Sequence, residues 1–375
     1  MKILYLCRSL NMGGIEKNLV LIAEQLKSTP HKMFVGAKPG VVNAMLTEQG
    51  AHCVDFYFNI RNPFTLLSDA KKLLSLVKTE SIDVVHTFSA APGVALTLTR
   101  CLAWISRYKK FPPTVSSIMG LQEKATEKAW VTHLRNFLTV LGARKIFIIS
   151  PEIRRFMEKL PIAKRRLQDL HLVGVKLPDT PITESTQALK QYFGITTPNL
   201  VVTIGHLSPR KNHELFIQAA NKITAQRQDT TFLIVGEGPD RAALQHAIDQ
   251  TGSNHIRLYG LCKDIPKLLT ITTVCVKPGI LEGFIGITVL EAQTMNVPVV
   301  AFETTDVKLA IEAGVSGLIA KKADTEELAR KIQQLLNQPA LAKRIAQQGK
   351  KTVERDWSIV TITQNLLAEY QRLLP

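Results

Sequence analysis

The chain has 375 residues, 45% of them apolar, and 47 Lys and Arg against 31 Asp and Glu give a formal net charge of +16. That length suits two domains of ordinary size, and short apolar blocks with no run near the ~18 residues needed to cross a bilayer exclude a membrane-spanning chain. Five scattered cysteines (Cys7, Cys53, Cys101, Cys262, Cys275) without C-x-x-C spacing exclude a disulfide framework and a thiolate zinc site, and point to the cytoplasm.

The opening MKILYLCRSL has one Lys and no small-residue cleavage site, and it runs into a glycine pair and a helical pattern, so it reads as a first strand. MFVGAK, HCVDFYF, DVVHTF, TVSSIM, KIFIIS and DLHLVG follow as candidate strands of the first half. Pro, Thr and Ser then cluster in KLPDTPITESTQ, Lys176 to Gln187, which reads as a linker before the helix LKQYFGI. Beyond Leu200 the rhythm is cleaner: LVVTIGHL and HELFIQAANKI, TFLIVGEG and DRAALQHAI, HIRLYG and DIPKLL, then TVCVKPG, VPVVAF and DVKLAIEAG. Continuous apolar strands are buried on both faces, the mark of a parallel sheet covered by helices. The expected fold is α/β, two doubly wound sheets in succession, with domains at 1–178 and 190–355. The last amphipathic stretch, WSIVTITQNLLAEYQRLL, follows no further strand, and residues 356–375 are expected to dock back on the first domain.

Charge is lopsided. Residues 1–180 carry 26 Lys and Arg against 13 Asp and Glu, while residues 181–375 carry 21 against 18. Such a field suits nucleic acid, anionic lipid or a phosphorylated substrate. No recognition helix or aromatic strand motif favours nucleic acid, and no G-x-G-x-x-G follows the first strand as a nicotinamide cofactor would require. The segments TLTRCLAWISRYKKF and EKAWVTHLRNFLTVL mix Trp104, Tyr108, Trp130 and Phe137 with Arg and Lys, which suits either an anionic membrane surface or a packed helix with a solvated basic face.

Three segments carry candidate sites. Gly13 and Gly14 sit where the first strand becomes a helix, and bare backbone there either makes a tight turn or approaches an anion. GHLSPRKN puts His206, Arg210 and Lys211 at the carboxyl end of a strand, either as a solvated turn or as cations for a diphosphate. In LEGFIGITVLEA, a continuous helix would throw Glu282 and Glu291 onto opposite faces; a helix starting near Gly286 instead leaves Glu282 in the preceding loop and Glu291 within the helix. The first turn would then offer backbone N–H groups to an anion, with a carboxylate on each side for hydroxyls. His86, in DVVHTF, is a candidate acceptor contact or a histidine simply bonded in place.

The succession GG-x-E, GHLSPRKN, IVGEGP, LYG, PG-x-LEGF-x-G-x-x-x-LEA and PVVAF resembles the retaining GT-B glycosyltransferases of the large family (glycosyltransferase family 4) that includes lipopolysaccharide, capsule and phosphatidylinositol mannosyl transferases. The resemblance covers nearly the whole chain and is strongest from Val202 to Ala320. It implies two facing Rossmann-like domains, the C-terminal one holding a nucleotide-sugar and the N-terminal one an acceptor. It also implies that Lys211 binds the donor diphosphate beside His206, Arg210 and the Gly14 loop. Glu282 would hold the sugar, Gly283, Phe284 and Gly286 would lie near sugar or phosphates, and Glu291 would bind the ribose. No metal and no cofactor are implied; the donor is a UDP- or GDP-sugar.

This sequence departs from the family at four places, the first being His206, where the family usually has Arg. Eight residues separate the two glutamates where the family has seven, Met119-Gly120 stands where a His-Gly is usual, and VGVK replaces an N-G-V-D element. The expected activity is transfer to a lipid-linked or lipopolysaccharide glycan by a cytoplasmic protein peripheral to the plasma membrane's inner face, with an anionic membrane surface as partner through the basic first domain. The alternative is a non-catalytic GT-B scaffold that binds a nucleotide-sugar or a partner transferase.

Overall fold

KILYLCRS, Lys2–Ser9, forms β1, and its five consecutive buried residues from Ile3 to Cys7 require cover on both faces of the sheet. The computed structural model describes residues 1–11, 13–118, 129–160, 162–178, 182–280 and 286–374. The chain divides into two units, Met1–Lys176 with Ile359–Pro375, and Leu177–Ser358.

In unit 1, β1 is joined by β2 (Lys32–Lys38), β3 (His52–Asp55), β4 (Val84–Phe88), β5 (Thr114–Ile118), β6 (Lys145–Ile148) and β7 (Leu167–Asp169), all parallel in the order β3-β2-β1-β4-β5-β6-β7. Unit 2 repeats the pattern with β8 (Asn199–Ile204), β9 (Thr230–Val235), β10 (Ile256–Gly260), β11 (Val274–Lys277), β12 (Val299–Phe302) and β13 (Leu318–Ala320), in the order β10-β9-β8-β11-β12-β13. In each sheet the strand order reverses once, between β1 and β4 and between β8 and β11. At such a switch point the connections leave in opposite directions and open a crevice outside the strand carboxyl ends.

The core of unit 2 is made by two helices on one face of its sheet. Phe216, Ala220 and Ile223 of helix His213–Thr224, and Leu328, Ile332 and Leu335 of helix Thr325–Asn337, pack on Val201, Phe232, Ile234 and Val276. Each such side chain contributes roughly 1.5–3 kcal/mol by leaving water. Helix Ile359–Leu373 belongs to unit 1, where it buries Ile362, Leu366 and Tyr370. Among the described residues no helix is long and apolar enough to cross a membrane.

Two expected elements differ, and one strand, β13, was not expected. DLHLVG is not a strand: β7 ends at Asp169, and the apolar segment beyond it is bonded by side chains and a helix end instead of a ladder. Asn18 Nδ2 donates to Leu172 O (2.5 Å), Gly174 N donates to Asn18 Oδ1 (3.0 Å), and Ile359 N donates to Val175 O (2.9 Å). DVKLAIEAG yields only the turn Val307–Ala310, because Ile311 is extended and Gly314 takes a φ of 78°. The strand β13 is three residues long, too short to show a period.

Candidate functional site

In unit 2 the GHLSPRKN and TVCVKPG segments meet at the β8/β11 switch point. Beyond β8, Gly205 and His206 lead into a single 3-10 turn, Pro209–Lys211, and Asn212 at φ 50° turns the chain into helix His213–Thr224. The turn is held by glycines of the next connection: a Cβ on Gly236 would lie 1.9 Å from Gly205 O, and one on Gly238 would lie 2.2 Å from Leu207 O. Only bare backbone permits that approach, which is the physical content of the VGEGP motif. The Lys211 stem crosses Gly205, whose added Cβ would sit 3.4 Å from Lys211 Cε. His206 and Arg210 are exposed on the same turn, and Lys211 is half-buried.

Beyond β11 the chain meets the same crevice from the other side. Helix Ile287–Thr294 starts after Gly286 with no side-chain cap, and in its first turn Val289 N donates to Gly286 O (2.8 Å). Thr288 Oγ1 donates to Ile204 O at 3.3 Å, fastening that helix to the end of β8. The Asn212 amide, oriented to satisfy both neighbours, donates to Pro209 O (3.0 Å) and accepts from Ile280 N (3.2 Å), so the two loops are joined. Lys211, Lys277, Gly279, Gly286 and Thr288 line a pocket between them. Glu291 is half-buried in the helix, and its charge adds to the burial that pushes the Cys275 thiol up to about 12. A lysine on one wall and a helix start on the other both put positive potential into this pocket. Glu282, Gly283, Phe284 and Met119 lie outside the described residues.

In unit 1 the glycine pair lies at the corresponding edge. Gly13 caps helix Gly14–Leu26 in extended backbone with no side-chain bond. Glu16 sits in the first turn, where burial raises its pKa. Ser89, next to β4, is a residue that sequence reasoning passed over. Its φ of 101° and ψ of 164° belong to a region otherwise left to glycine, and its Oγ is buried with no hydrogen-bond partner among the described residues. The signal was available only as topology, since Ser89 follows the strand that forms the switch point with β1.

His86 requires a correction as an acceptor contact. It is wholly buried in β4, its Nδ1 bonded to Tyr370 Oη (2.5 Å) and its Nε2 to Ser117 Oγ (2.5 Å), and burial pushes its pKa down to about 3. An apolar strand on a two-sided sheet leaves no route from this ring to solvent. Phe137 likewise packs on the β6 core and Tyr108 lies under Lys78 Nζ at 4.9 Å, whereas Trp104 is 83% exposed.

Residues 185–352 match the family described as Glycosyl transferases group 1. The fold is that of Anabaena Alr3699/HepE, solved in complex with UDP: TM-score 0.84 and 19% identity over all of both chains. This chain is a GT-B glycosyltransferase. Some relatives of this glycosyltransferase are named for lipid-linked acceptors. It is 27% identical to the UDP-Gal:alpha-D-GlcNAc-diphosphoundecaprenol alpha-1,3-galactosyltransferase of Escherichia coli, over 62% of each chain. It is 28% identical to the GDP-mannose-dependent monoacylated alpha-(1-6)-phosphatidylinositol monomannoside mannosyltransferase of Corynebacterium glutamicum, over 77% of this chain and 76% of that one.

Proposed function

We propose that this glycosyltransferase moves a sugar, with retention, from a nucleoside-diphosphate sugar to a hydroxyl of a lipid-linked glycan. The observation that carries the reading is the pocket at the β8/β11 switch point, where Lys211 faces the uncapped start of helix Ile287–Thr294. The donor diphosphate lies against those N–H groups, with Lys211, Arg210 and His206 opposing its charge, an electrostatic arrangement ready before the reaction begins. Glu291 takes the ribose hydroxyls. Glu282, with the backbone of Gly283 and Phe284, takes the sugar.

The C1–oxygen bond to the leaving phosphate breaks first, the acceptor oxygen attacks C1 from the same face, and the departing phosphate oxygen takes the acceptor's proton. No protein nucleophile, metal or cofactor takes part. UDP is favoured as the nucleotide, because the Anabaena protein is solved with UDP and the Escherichia coli relative is named for UDP-Gal, while the Corynebacterium relative is named for GDP-mannose. The carboxyl edge of unit 1, with the glycine loop and strained Ser89, is assigned to the acceptor.

Calorimetry with UDP, GDP and ADP tests the placement. One nucleotide should bind the wild type, and Lys211→Ala and Glu291→Ala should each weaken it at least tenfold, about 1.4 kcal/mol or more. Unchanged affinity in both variants removes the diphosphate from this pocket.

A further inference from the structure

We infer that Lys277 is a second cation of the donor-diphosphate site, opposite Lys211, and that Asp306 competes with the diphosphate for its ammonium; the inference rests on the donor-site reading above. Lys277 is the last residue of β11. That strand lies parallel to β8 with Val274 opposite Val201 and Cys275 opposite Val202, so the same register brings Lys277 level with Ile204, the last residue of β8. Lys211 crosses Gly205, the next residue, and Thr288 Oγ1 donates to Ile204 O at 3.3 Å. Two lysines and a helix start therefore converge on one strand end, and both lysines line the pocket there. Side chains alternate along a strand. Val274 and Val276 belong to the core under helices His213–Thr224 and Thr325–Asn337, which sends Cys275 and Lys277 to the other face. Glu291, assigned to the ribose, lies close enough for its charge to act on the Cys275 thiol. Lys277 thus shares a face with the ribose carboxylate, one step nearer the carboxyl edge, where the diphosphate must follow.

The Lys277 side chain is only 8% exposed and that of Asp306 only 4%. Asp306 stands in the connection after β12, the strand paired beside β11 with Lys277 opposite Ala301. Lys277 Nζ donates to Gly279 O at 3.2 Å and lies 3.7 Å from Asp306 Oδ2, a separation beyond hydrogen-bond range. Burying two opposite charges is expensive even in good geometry, and apolar residues of similar volume would pack at least as well. A loose pair at this position suits ligand binding better than it suits the fold. Burial strengthens the pull of the ammonium on a phosphate, and the carboxylate compensates that charge when no diphosphate is bound. Carboxylate and diphosphate then compete for one ammonium, so Asp306 works against the ligand. Sequence reading passed Lys277 over because TVCVKPG reads as a buried strand, and a lysine that closes such a strand looks like its solvated end.

Calorimetry of the full chain with UDP, GDP and ADP tests this, with Lys277→Met, Asp306→Asn and Lys277→Met/Asp306→Leu set beside wild type, Lys211→Ala and Glu291→Ala. For the nucleotide that wild type binds, Lys277→Met should lose at least tenfold in affinity. That variant leaves a carboxylate buried alone and should also melt lower. The double variant leaves none, so it should melt near wild type and still lose at least tenfold in affinity. Asp306→Asn keeps the ammonium and removes its competitor, and should bind at least threefold more tightly than wild type. Wild-type affinity in the double variant overturns the assignment, because Lys277 would then serve only to pair Asp306. Unchanged or weaker binding in Asp306→Asn overturns it too, because the two residues would then act together to shape the pocket. If Lys211→Ala loses affinity while the double variant keeps it, the donor site stands and Lys277 is no part of it. If wild type binds none of the three nucleotides, or Lys211→Ala and Glu291→Ala both bind as wild type does, the donor-site reading itself fails and Lys277 falls with it.

Discussion

His86 shows what burial does to a titratable side chain in this sheet. The ring takes Tyr370 on one nitrogen and Ser117 on the other, and Tyr5, Phe88 and Phe147 surround it, so a proton added there has no water to solvate it. Its pKa falls from 6.5 to about 3, while in the unfolded chain it returns to the ordinary value. The folded state then binds fewer protons than the unfolded state between those two values. The stability this ring confers is full above pH 6.5 and is lost as pH falls toward 3, with a slope of up to about 1.4 kcal/mol per pH unit. His86→Gln cannot take up that proton. Its melting temperature should lie below that of wild type at pH 7.5, with the gap closing as pH drops to 4; parallel curves would mean that the ring titrates normally. The residue letter alone could not reveal this, since a histidine at a strand end reads equally as a ligand or as a core group. The deciding partner, Tyr370, lies 284 residues away in sequence.

At the scale of elements, the sequence disclosed what has a period and concealed what depends on a neighbour. Strands such as LVVTI and TFLIV and the helix HELFIQAANKI could be read because burial on both faces, or on one helical stripe, writes itself into the apolar pattern. The start of the helix at Gly286 was legible from the wheel argument on Glu282 and Glu291. The three-residue β13, the backbone of DLHLVG bonded to Asn18, and the Asn212 bridge to Ile280 were not legible, because their partners are distant in sequence. Glycines divide in the same way. Gly236 has a φ of 148° and an added Cβ would fall 1.9 Å from Gly205 O, whereas Gly252, at φ 64°, has nothing within 4 Å. Gly252→Ala therefore meets only the left-handed backbone penalty, about 1–2 kcal/mol. Gly236→Ala must also push the Gly205 turn aside, and should cost upwards of ~3 kcal/mol with loss of UDP binding. Denaturant melts paired with UDP calorimetry separate the two, and a Gly236→Ala chain that binds UDP normally would show that the turn needs no glycine behind it.

Across the whole molecule the excess charge belongs to residues 1–180, and the topology of unit 1 decides which part of that charge lies near its ligand edge. In a parallel sheet the connecting helix runs back against the strands, so helix Ala90–Ile105 ends at the amino edge, opposite the edge where Gly13, Gly14 and Ser89 lie. Trp104 (83% exposed) and Ile105 (68%) stand at that end, followed by exposed Arg107, Lys109 and Lys110. An apolar tip ringed by cations suits the headgroup region of an anionic bilayer, where each basic side chain contributes about 1 kcal/mol. Sedimentation with phosphatidylserine vesicles should therefore carry the protein down at low salt, and phosphatidylcholine vesicles should not. Lys109→Gln/Lys110→Gln should weaken the partition by about 2 kcal/mol, roughly thirtyfold, and Trp104→Ser should weaken it again, with UDP affinity unchanged in both. Raising ionic strength to several hundred millimolar should abolish the difference between the two lipids, since exposed charges are screened within about 10 Å at 0.1 M salt and less above it. A membrane at the amino edge would leave the carboxyl edge of unit 1 turned from the bilayer. A lipid-linked acceptor would then reach it through the length of its glycan, so short glycolipids should be poor acceptors relative to extended ones. Equal partition onto both lipids, or no effect of the two lysines, would assign the basic half to the donor and acceptor charges alone.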